Sequence, residues 1–516
     1  MEQAIPETPS PAHQNIGRRV GIASIYAVLQ RVVMRGLGFG STLILVRLLS
    51  PEDFGIAVLA SAVLATLDLL TWTGFGLAIV RMPAPRAGHY DTAFTLTVLR
   101  GAVLAVILFA LADWQAGFMN EPRLAPVIHV IAITVFVDSL ASMRLVDFHR
   151  DLRFDVLLRY AVVGKVLAML VSIPLAFILQ NYWALVLGNL VSRALCVPYS
   201  YWLAPHRPRL TFGEWRELFR FSKWVLLNNV CVVFDQQVMN FVVGRVQGVS
   251  AIGLYQVGAQ IGLLPITELA APIRQPFYAG FARIYHDLVE LRRQFLTGLE
   301  LLWVLLLPLS LGIALTGREA TLLFLGPQWT EAIPLLPLIA LFGLTDAIGQ
   351  NTHNLFIVLN RQARLVVSYL ALVALRLIAV YVGTLKAGIL GAAWAMLLTS
   401  CLNAIVWQWL ANQLLAISLR DLARRFWRPG VAALLLVAVV WPIPDDIGPR
   451  LGITIWPTVT SLAIKTVLGA VAYIGMLGLC WWLSGQPRPS AESHILAWSG
   501  AALRRLRRPG ISAQPS

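Results

Sequence analysis

Charge is scarce in this chain. Only 13% of its 516 residues are Asp, Glu, Lys or Arg, where a soluble globular domain carries about a quarter. The acids are the scarcer sign, 26 against 41 bases. Cysteine is nearly absent: Cys196, Cys231, Cys401 and Cys480 fall in or at the ends of hydrophobic blocks, and no pair has metal or redox spacing. That excludes a disulfide framework and a thiolate metal centre, and leaves packing as their role. There is no Asp-x-Asp pair for a metal-dependent sugar transferase, no His-Glu-x-x-His and no Walker lysine, so the usual enzymatic chemistries and an ATP motor have no residues to run on. Cofactors are expected to be none. The polar, proline-containing stretch Met1–Gln14 lacks a signal-peptide cleavage pattern, so the first hydrophobic block is expected to stay in the protein.

Hydrophobic runs are what the chain has instead. It is 58% hydrophobic with mean hydropathy +0.72, and blocks long enough to cross a bilayer, about 20 residues, recur from Val20 to Leu483. We place spans at 20–47, 54–79, 92–112, 124–146, 156–179, 182–204, 220–245, 252–278, 295–316, 332–357, 363–384, 388–411, 429–444 and 461–483. The gaps alternate between arginine-poor and arginine-rich. One side holds Arg47, Arg123, Arg245, Arg318, Lys386 and Arg450; the other, with both tails, holds 28 of the 41 cations. Cytoplasmic loops collect Lys and Arg. The pattern therefore predicts an all-α polytopic membrane protein of fourteen transmembrane helices with both termini in the cytoplasm. The +15 net charge and pI near 10.2 then make anionic membrane lipids the natural counterions, not nucleic acid. The tail Arg504-Arg505-Leu506-Arg507-Arg508 suits a membrane-surface anchor on the same electrostatics.

The chain repeats itself. Leu45–Gly55 closes span 1 and opens span 2; Val243–Gly253 does the same for spans 7 and 8, and an offset of 198 aligns Arg47 with Arg245 and Gly55 with Gly253. A weaker match pairs Trp183-Ala184-Leu185 with Gly391-Ala392-Ala393-Trp394. Spans 1–6 and 7–12 thus form two parallel six-helix lobes, an arrangement that places a transport site at their interface. The expected organisation is a cytoplasmic tail at 1–17, an N-lobe at 18–205, a C-lobe at 206–416, two added helices within 417–486 and a basic cytoplasmic tail at 487–516. The segment Glu214–Phe221, with its aromatics and arginines, suits either a helix lying at the interface or the cytoplasmic turn of span 7. No gap on the arginine-poor side has room for a folded domain.

The run Val46-Arg47-Leu48-Leu49-Ser50-Pro51-Glu52-Asp53-Phe54-Gly55 resembles the signature after the first helix of polysaccharide transporters, the Wzx-type flippases of the multidrug/oligosaccharidyl-lipid/polysaccharide exporter superfamily. Gly74-Phe75-Gly76, Arg150-Asp151-Leu152-Arg153-Phe154 and Tyr182-Trp183-Ala184-Leu185 resemble the same family, over about 20–420 as judged by matching repeat units. The resemblance implies two six-helix lobes around a central cavity that opens to either side by turns. It also implies a cargo of oligosaccharide linked to undecaprenyl pyrophosphate in the bacterial inner membrane. As partners it implies a polysaccharide polymerase and export machinery.

Ionisable groups at bilayer depth cost at least about 2.5–3.5 kcal/mol on insertion scales, so they face a cavity or a partner. Arg31 and Arg35 sit near the middle of span 1, one helical turn apart on a shared face. Asp68, Asp235 and Glu268 lie in spans 2, 7 and 8. Two readings stand. The arginines grip the pyrophosphate through bidentate forks, or they are neutralised by these acids in an internal network. Span 7 also offers Asn228, Asn229, Gln236 and Gln237 for sugar hydroxyls, though hydrogen bonding between helices would explain amides equally. Asp346, in span 10, joins Asp68, Asp235 and Glu268 as a candidate for ion coupling or gating. Lys165, Arg376 and Lys465 are read as snorkelling or paired, and Gly36, Gly38 and Gly40 as sites of close helix packing.

The expected function is flipping of lipid-linked oligosaccharide for lipopolysaccharide or exopolysaccharide synthesis. The rivals are a multidrug or organic-cation exporter of the same superfamily, which would favour an acidic aromatic cavity, and a membrane scaffold for glycan assembly. The orientation is checked by cysteine substitution: positions 180 and 386 should react with an impermeant maleimide in intact cells, and labelling of both only after permeabilisation would reverse the topology.

Overall fold

A backbone surrounded by hydrocarbon has no water to bond, which leaves helices or closed barrels as spanning structures. In the computed structural model all regular elements among the described residues are helical. Those residues are 11–71, 75–82, 85–215, 235–264, 266–270, 277, 280–359, 361–445, 457–487 and 490–493, without the side chains of 11–25, 68–71, 77, 78, 81 and 362–367. Asn228, Asn229, Gly74, the segment from 216 to 221, the tail 504–508 and the Asp68 side chain lie outside the described residues.

The helices are α1 (Pro11–Leu48), α2 (Pro51–Thr71), α3 (Phe75–Arg81), α4 (Ala87–Met119), α5 (Leu124–Ser139), α6 (Leu145–Arg150), α7 (Phe154–Leu179) and α8 (Trp183–Leu203). After α9 (235–247) come α10 (Val249–Gly262), α11 (Leu288–Ala320), α12 (Leu335–Val358), α13 (Gln362–Leu415), α14 (Leu419–Val440) and α15 (Pro457–Leu483). Six stretches among the described residues are long and apolar enough to cross a membrane: Tyr26–Leu48, Ala87–Met119, Phe154–Leu179, Leu288–Leu325, Ser368–Leu415 and Pro457–Leu483. α5 is shorter than the expected span. It stops at Ser139, because Ser142 docks on the end of α8, its N–H donating to Ser200 Oγ (2.9 Å) and its hydroxyl to the Ala204 carbonyl (2.7 Å). α13 is two helices joined by a sharp turn, which divides it where the expected spans 363–384 and 388–411 meet; the Gly383 and Gly391 backbones abut across that turn. It breaks beside Lys386, at Ala387 (φ −138°, ψ 23°) and Gly388 (φ 61°, ψ −146°), the latter a conformation open essentially to glycine alone.

The chain divides into two compact units, Met1–Gly253 and Leu254–Ser516. In the first, α7 packs on α8, α1 on α7, α4 on α5 and α5 on α8. Small residues let the backbones close in: the Gly188 backbone abuts Ser172, and Ser192 Oγ donates to the Gly164 carbonyl at 2.7 Å.

The repeated loops meet within this unit. A Cβ on Gly55 would lie 1.8 Å from the carbonyl oxygen of Val249, and a Cβ on Gly253 would lie 1.8 Å from that of Pro51. The two contacts are related by the same 198-residue offset as the loops themselves, so the repeat is a reciprocal backbone seat. The rest of the signature run fastens this seat. Ser50 caps α2, its Oγ accepting from Asp53 N–H at 3.2 Å while Asp53 Oδ2 accepts from Ser50 N–H at 3.1 Å. Pro51 takes the first helical position. Asp53 Oδ1 also accepts from Tyr182 N–H at 2.9 Å, tying in the turn between α7 and α8. Glu52 is bonded by Arg123, which also donates to Glu121 at 2.7 Å. That contact holds the Glu121 carboxyl below its ordinary 4.5. Its contribution to stability is therefore complete above the ordinary value and is lost as pH falls through the lowered one.

In the second unit, α11 is the central element. Its Leu291, Phe295, Leu299, Leu302 and Leu306 share a buried core with Phe356 of α12, Trp407 of α13, Leu436 of α14 and Tyr473 of α15. Two ion clusters hold α14 and α15 to it. Glu300, 1% exposed, accepts from Arg428 at 2.7 Å and Arg425 at 3.0 Å, and Arg428 lies 3.1 Å from Glu492. Glu319 accepts from Lys465 at 2.5 Å, and Lys465 also reaches Asp445 at 2.7 Å. The two acids stand 19 residues apart on α11, about 28 Å at the helical rise, close to one bilayer core of about 30 Å. Lys465 is thus a paired cation.

Gly55→Ala should destabilise the purified protein by about 1–3 kcal/mol, the usual cost of forcing a methyl into filled space. Gly36→Ala, with nothing within 4 Å of its Cβ position, should match the parent or exceed it; melting temperatures in detergent compare them. Glu300→Gln leaves two guanidinium groups without their buried partner and should cost about 3–5 kcal/mol. An unchanged melting temperature would remove that cluster from the stability of the fold.

Candidate functional site

The sequence-derived residues fall out unequally. Arg31 and Arg35 stand about one turn apart within α1. Arg31 is exposed and Arg35 half-buried, and Arg31 has no ion-pair partner among the described residues. Asp235, Gln236 and Gln237 lie on α9. Gln237 Oε1 accepts from Asn240 Nδ2 at 2.8 Å, one turn along the same helix, so part of this amide wall is satisfied by itself. In the second unit Glu268 is half-buried on the π-helical turn Ile266–Ala270. Asp346, half-buried on α12, accepts from Gln350 at 2.6 Å. The neighbouring Thr345 hydroxyl donates to Ser400 of α13 at 2.8 Å. Arg376, buried at 5% exposure, donates to Thr399 Oγ1 at 3.2 Å and lies over the Phe342 ring at 5.9 Å, as a paired reading expects.

A cavity of about 460 Å³ lies beside α1, bordered there by Met34, Ser41 and Leu45 and lined also by α7 and α8. That volume lies within the range of roughly 300–1,000 Å³ usual for small-molecule sites. Tyr160 and Lys165 enter it from α7, Asn189 and Arg193 from α8. Lys165 is neither at a span end nor paired. It sits mid-way along α7, about 16 Å by helical rise from the nearer end, too far for its side chain to snorkel. No ion-pair partner meets it among the described residues. Its Cε lies 3.8 Å from where a Cβ of Gly38 would be. Gly38 thus gives Lys165 room to cross α1, whereas Gly36 and Gly40 have open space beside them; the glycine run does not serve close helix packing as expected. Arg193 is bound to Asp138 of α5 at 3.0 Å, both about half exposed. The Tyr160 ring stacks on Tyr199 at 6.0 Å and 7°.

Sequence reasoning read Lys165 as snorkelling or paired and did not single out Arg193, although a lysine eleven residues inside an apolar helix is itself a signal of a site. The arrangement can bind an anion and hydrogen-bond a polyol. Among the described residues no group of His, Cys, Asp or Glu could hold a metal ion.

Comparison with known proteins supplies context. The profile of a family described as "Polysaccharide biosynthesis protein" matches residues 44–334. Lipopolysaccharide biosynthesis protein WzxC of Escherichia coli (strain K12) is 23% identical over 81% of this chain and 86% of its own length. Succinoglycan biosynthesis transport protein ExoT of Rhizobium meliloti (strain 1021) is 23% identical over 65% of this chain and 67% of its own. Among solved structures, lipid II flippase MurJ in an inward closed conformation superposes with TM-score 0.71 at 12% identity, covering 89% of this chain and 98% of that one. An inward-facing multidrug resistance transporter of the MATE family gives 0.55 at 16% identity, covering 74% and 94%. At such identities these likenesses show the fold alone.

Proposed function

The chain belongs to the polysaccharide biosynthesis protein family, and from that premise we propose that it flips a polyprenyl-pyrophosphate-linked oligosaccharide across the cytoplasmic membrane. The product serves lipopolysaccharide or exopolysaccharide synthesis. Relatives named as lipopolysaccharide and succinoglycan proteins, together with a fold shared with a lipid flippase, support the reading. The observation that carries it is the short row of cations on α1, Arg31 and Arg35, about one turn apart. A diphosphate must cross a low-dielectric slab, and guanidinium forks match its oxygens in place of water. A carrier of organic cations would gain nothing from such a row.

In this reading fourteen spans form two six-helix lobes with both termini in the cytoplasm, and the cargo path opens to one side and then the other. Arg31 and Arg35 take the pyrophosphate. The amides Asn228, Asn229, Gln236 and Gln237 meet sugar hydroxyls, and Asp68, Asp235, Glu268 and Asp346 are the groups through which an ion gradient acts. The lipid-linked oligosaccharide, anionic lipids, a polymerase and the export machinery are its partners.

Arg35→Ala should cut surface polysaccharide by about tenfold or more, since a charge-assisted contact is worth about 1.5–3 kcal/mol, while membrane abundance holds. Arg35→Lys should recover only part, because Lys keeps the charge and loses the fork. Loss of the protein from the membrane, restored by neutralising an acid partner, would assign Arg35 to an internal network. Normal polysaccharide in a deletion strain that becomes sensitive to cationic drugs would overturn the flippase reading in favour of an exporter.

A further inference from the structure

The cavity between α1, α7 and α8 has a charge and a lining that distinguish it from a diphosphate site. Two full cations border it, Lys165 and Arg193. Asp138 accounts for one of them through its 3.0 Å contact with Arg193. One positive charge, on Lys165, is left without an ion-pair partner among the described residues, at a depth where an unneutralised ammonium is costly. A single excess charge is balanced by a single carboxylate; a diphosphate would bring more negative charge than the cavity offers. The remaining lining suits a sugar ring. The Tyr160 ring, braced by Tyr199, gives an aromatic wall. The Asn189 amide and the Ser41 hydroxyl at the cavity can donate and accept, as ring hydroxyls require.

We propose that this cavity is a subsite for an acidic sugar of the transported oligosaccharide, Lys165 and Arg193 taking its carboxylate and Tyr160 and Asn189 its ring. The assignment rests on the flippase reading and adds to it a substrate class: a glycan that carries a uronic acid besides its carrier phosphates. Arg193 can serve both Asp138 and the cargo, since a guanidinium has five donors in a fixed fork. Lys165 supplies the charge that Asp138 does not cancel. Gly38 leaves the amine room beside α1 at the cavity.

The full-length protein in lipid nanodiscs is titrated calorimetrically with probes that share one short prenyl pyrophosphate and differ only in the terminal sugar: glucuronate, its methyl ester or glucose. The glucuronate probe should bind the parent about tenfold more tightly than either neutral probe, the strength of one hydrogen-bonded charge. Lys165→Gln and Arg193→Gln should each erase that preference and leave the neutral probes' affinity unchanged, and Lys165→Arg should keep most of it. Equal binding of all three probes by the parent overturns the subsite and leaves the flippase reading standing; binding of none overturns both. A parallel loss for all probes in Lys165→Gln also overturns the subsite, because it puts the amine on the shared diphosphate. The ester comparison uses the parent protein alone, so it decides the matter even where a variant fails to fold.

Discussion

A charge kept from water must be neutralised or must face a space that something else fills, and this constraint sorts the interior of the whole molecule. The second unit resolves it by pairing. Glu300, well inside α11, and Glu319, at its C-terminal end, are each nearly sealed from solvent and each met by cations from a helix packed against it. Attraction in a low dielectric roughly offsets desolvation in such pairs, so their main effect is to make any other packing expensive. α14 and α15 are apolar helices that could slide along α11 with little change in buried area. The paired acids leave them one position. The first unit resolves the same constraint differently: among the described residues no ion-pair partner meets Lys165, and it borders a cavity. Stability and binding thus draw on one physical cost and spend it in separate units.

Backbone proximity fixes the second feature of the fold. Two carbonyl oxygens, of Pro51 and Val249, occupy space that any residue larger than glycine at 253 and 55 would need. The contact is reciprocal, and it is reinforced on one side by Ser50, Asp53 and Glu52, whose bonds reach the turns before α5 and α8. Three polar residues of the signature run are therefore accounted for by neighbours in this structure: Ser50 and Asp53 by a helix cap, Asp53 again by Tyr182, Glu52 by Arg123. The run owes its specificity to packing and capping. It says where the chain folds back and nothing about cargo.

This distinction explains how much could be read from the sequence. Helical class and the spacing of apolar blocks follow from composition, because hydrocarbon permits few other structures. The repeat was visible because the same seat is written twice. Lys465 and Arg376 could be placed as paired without knowing the partner, since burial of a cation demands one. What escaped was anything decided by side chains meeting across elements. Ser142 shortens α5 by bonding to α8, and no local pattern announces it. The break at Ala387 and Gly388, by contrast, falls where two apolar blocks part in the sequence. Gly38 was legible only as a small residue; that it faces Lys165 rather than a helix backbone depends on the rotation of α7 about its axis.

The candidate site suffered most from that blindness. Composition pointed to Arg31 and Arg35 because they lie near one another in sequence, and the repeat drew attention to Asp68, Asp235 and Glu268. The cations that share a cavity are 28 residues apart on two helices, at 165 and 193. Each alone reads as an isolated charge in an apolar block. Only the antiparallel packing of α7 on α8 brings them together: 165 lies 14 residues before the turn at Leu179, 193 lies 10 residues after the restart at Trp183, and their chain neighbours Gly164 and Ser192 are hydrogen-bonded across the hairpin at 2.7 Å. A helix hairpin folds sequence distance back on itself, so residues equally far from its turn become neighbours. In a chain built from such hairpins, charges are better compared by their distance from the turn than by their distance from each other, and on that measure Lys165 and Arg193 form a pair.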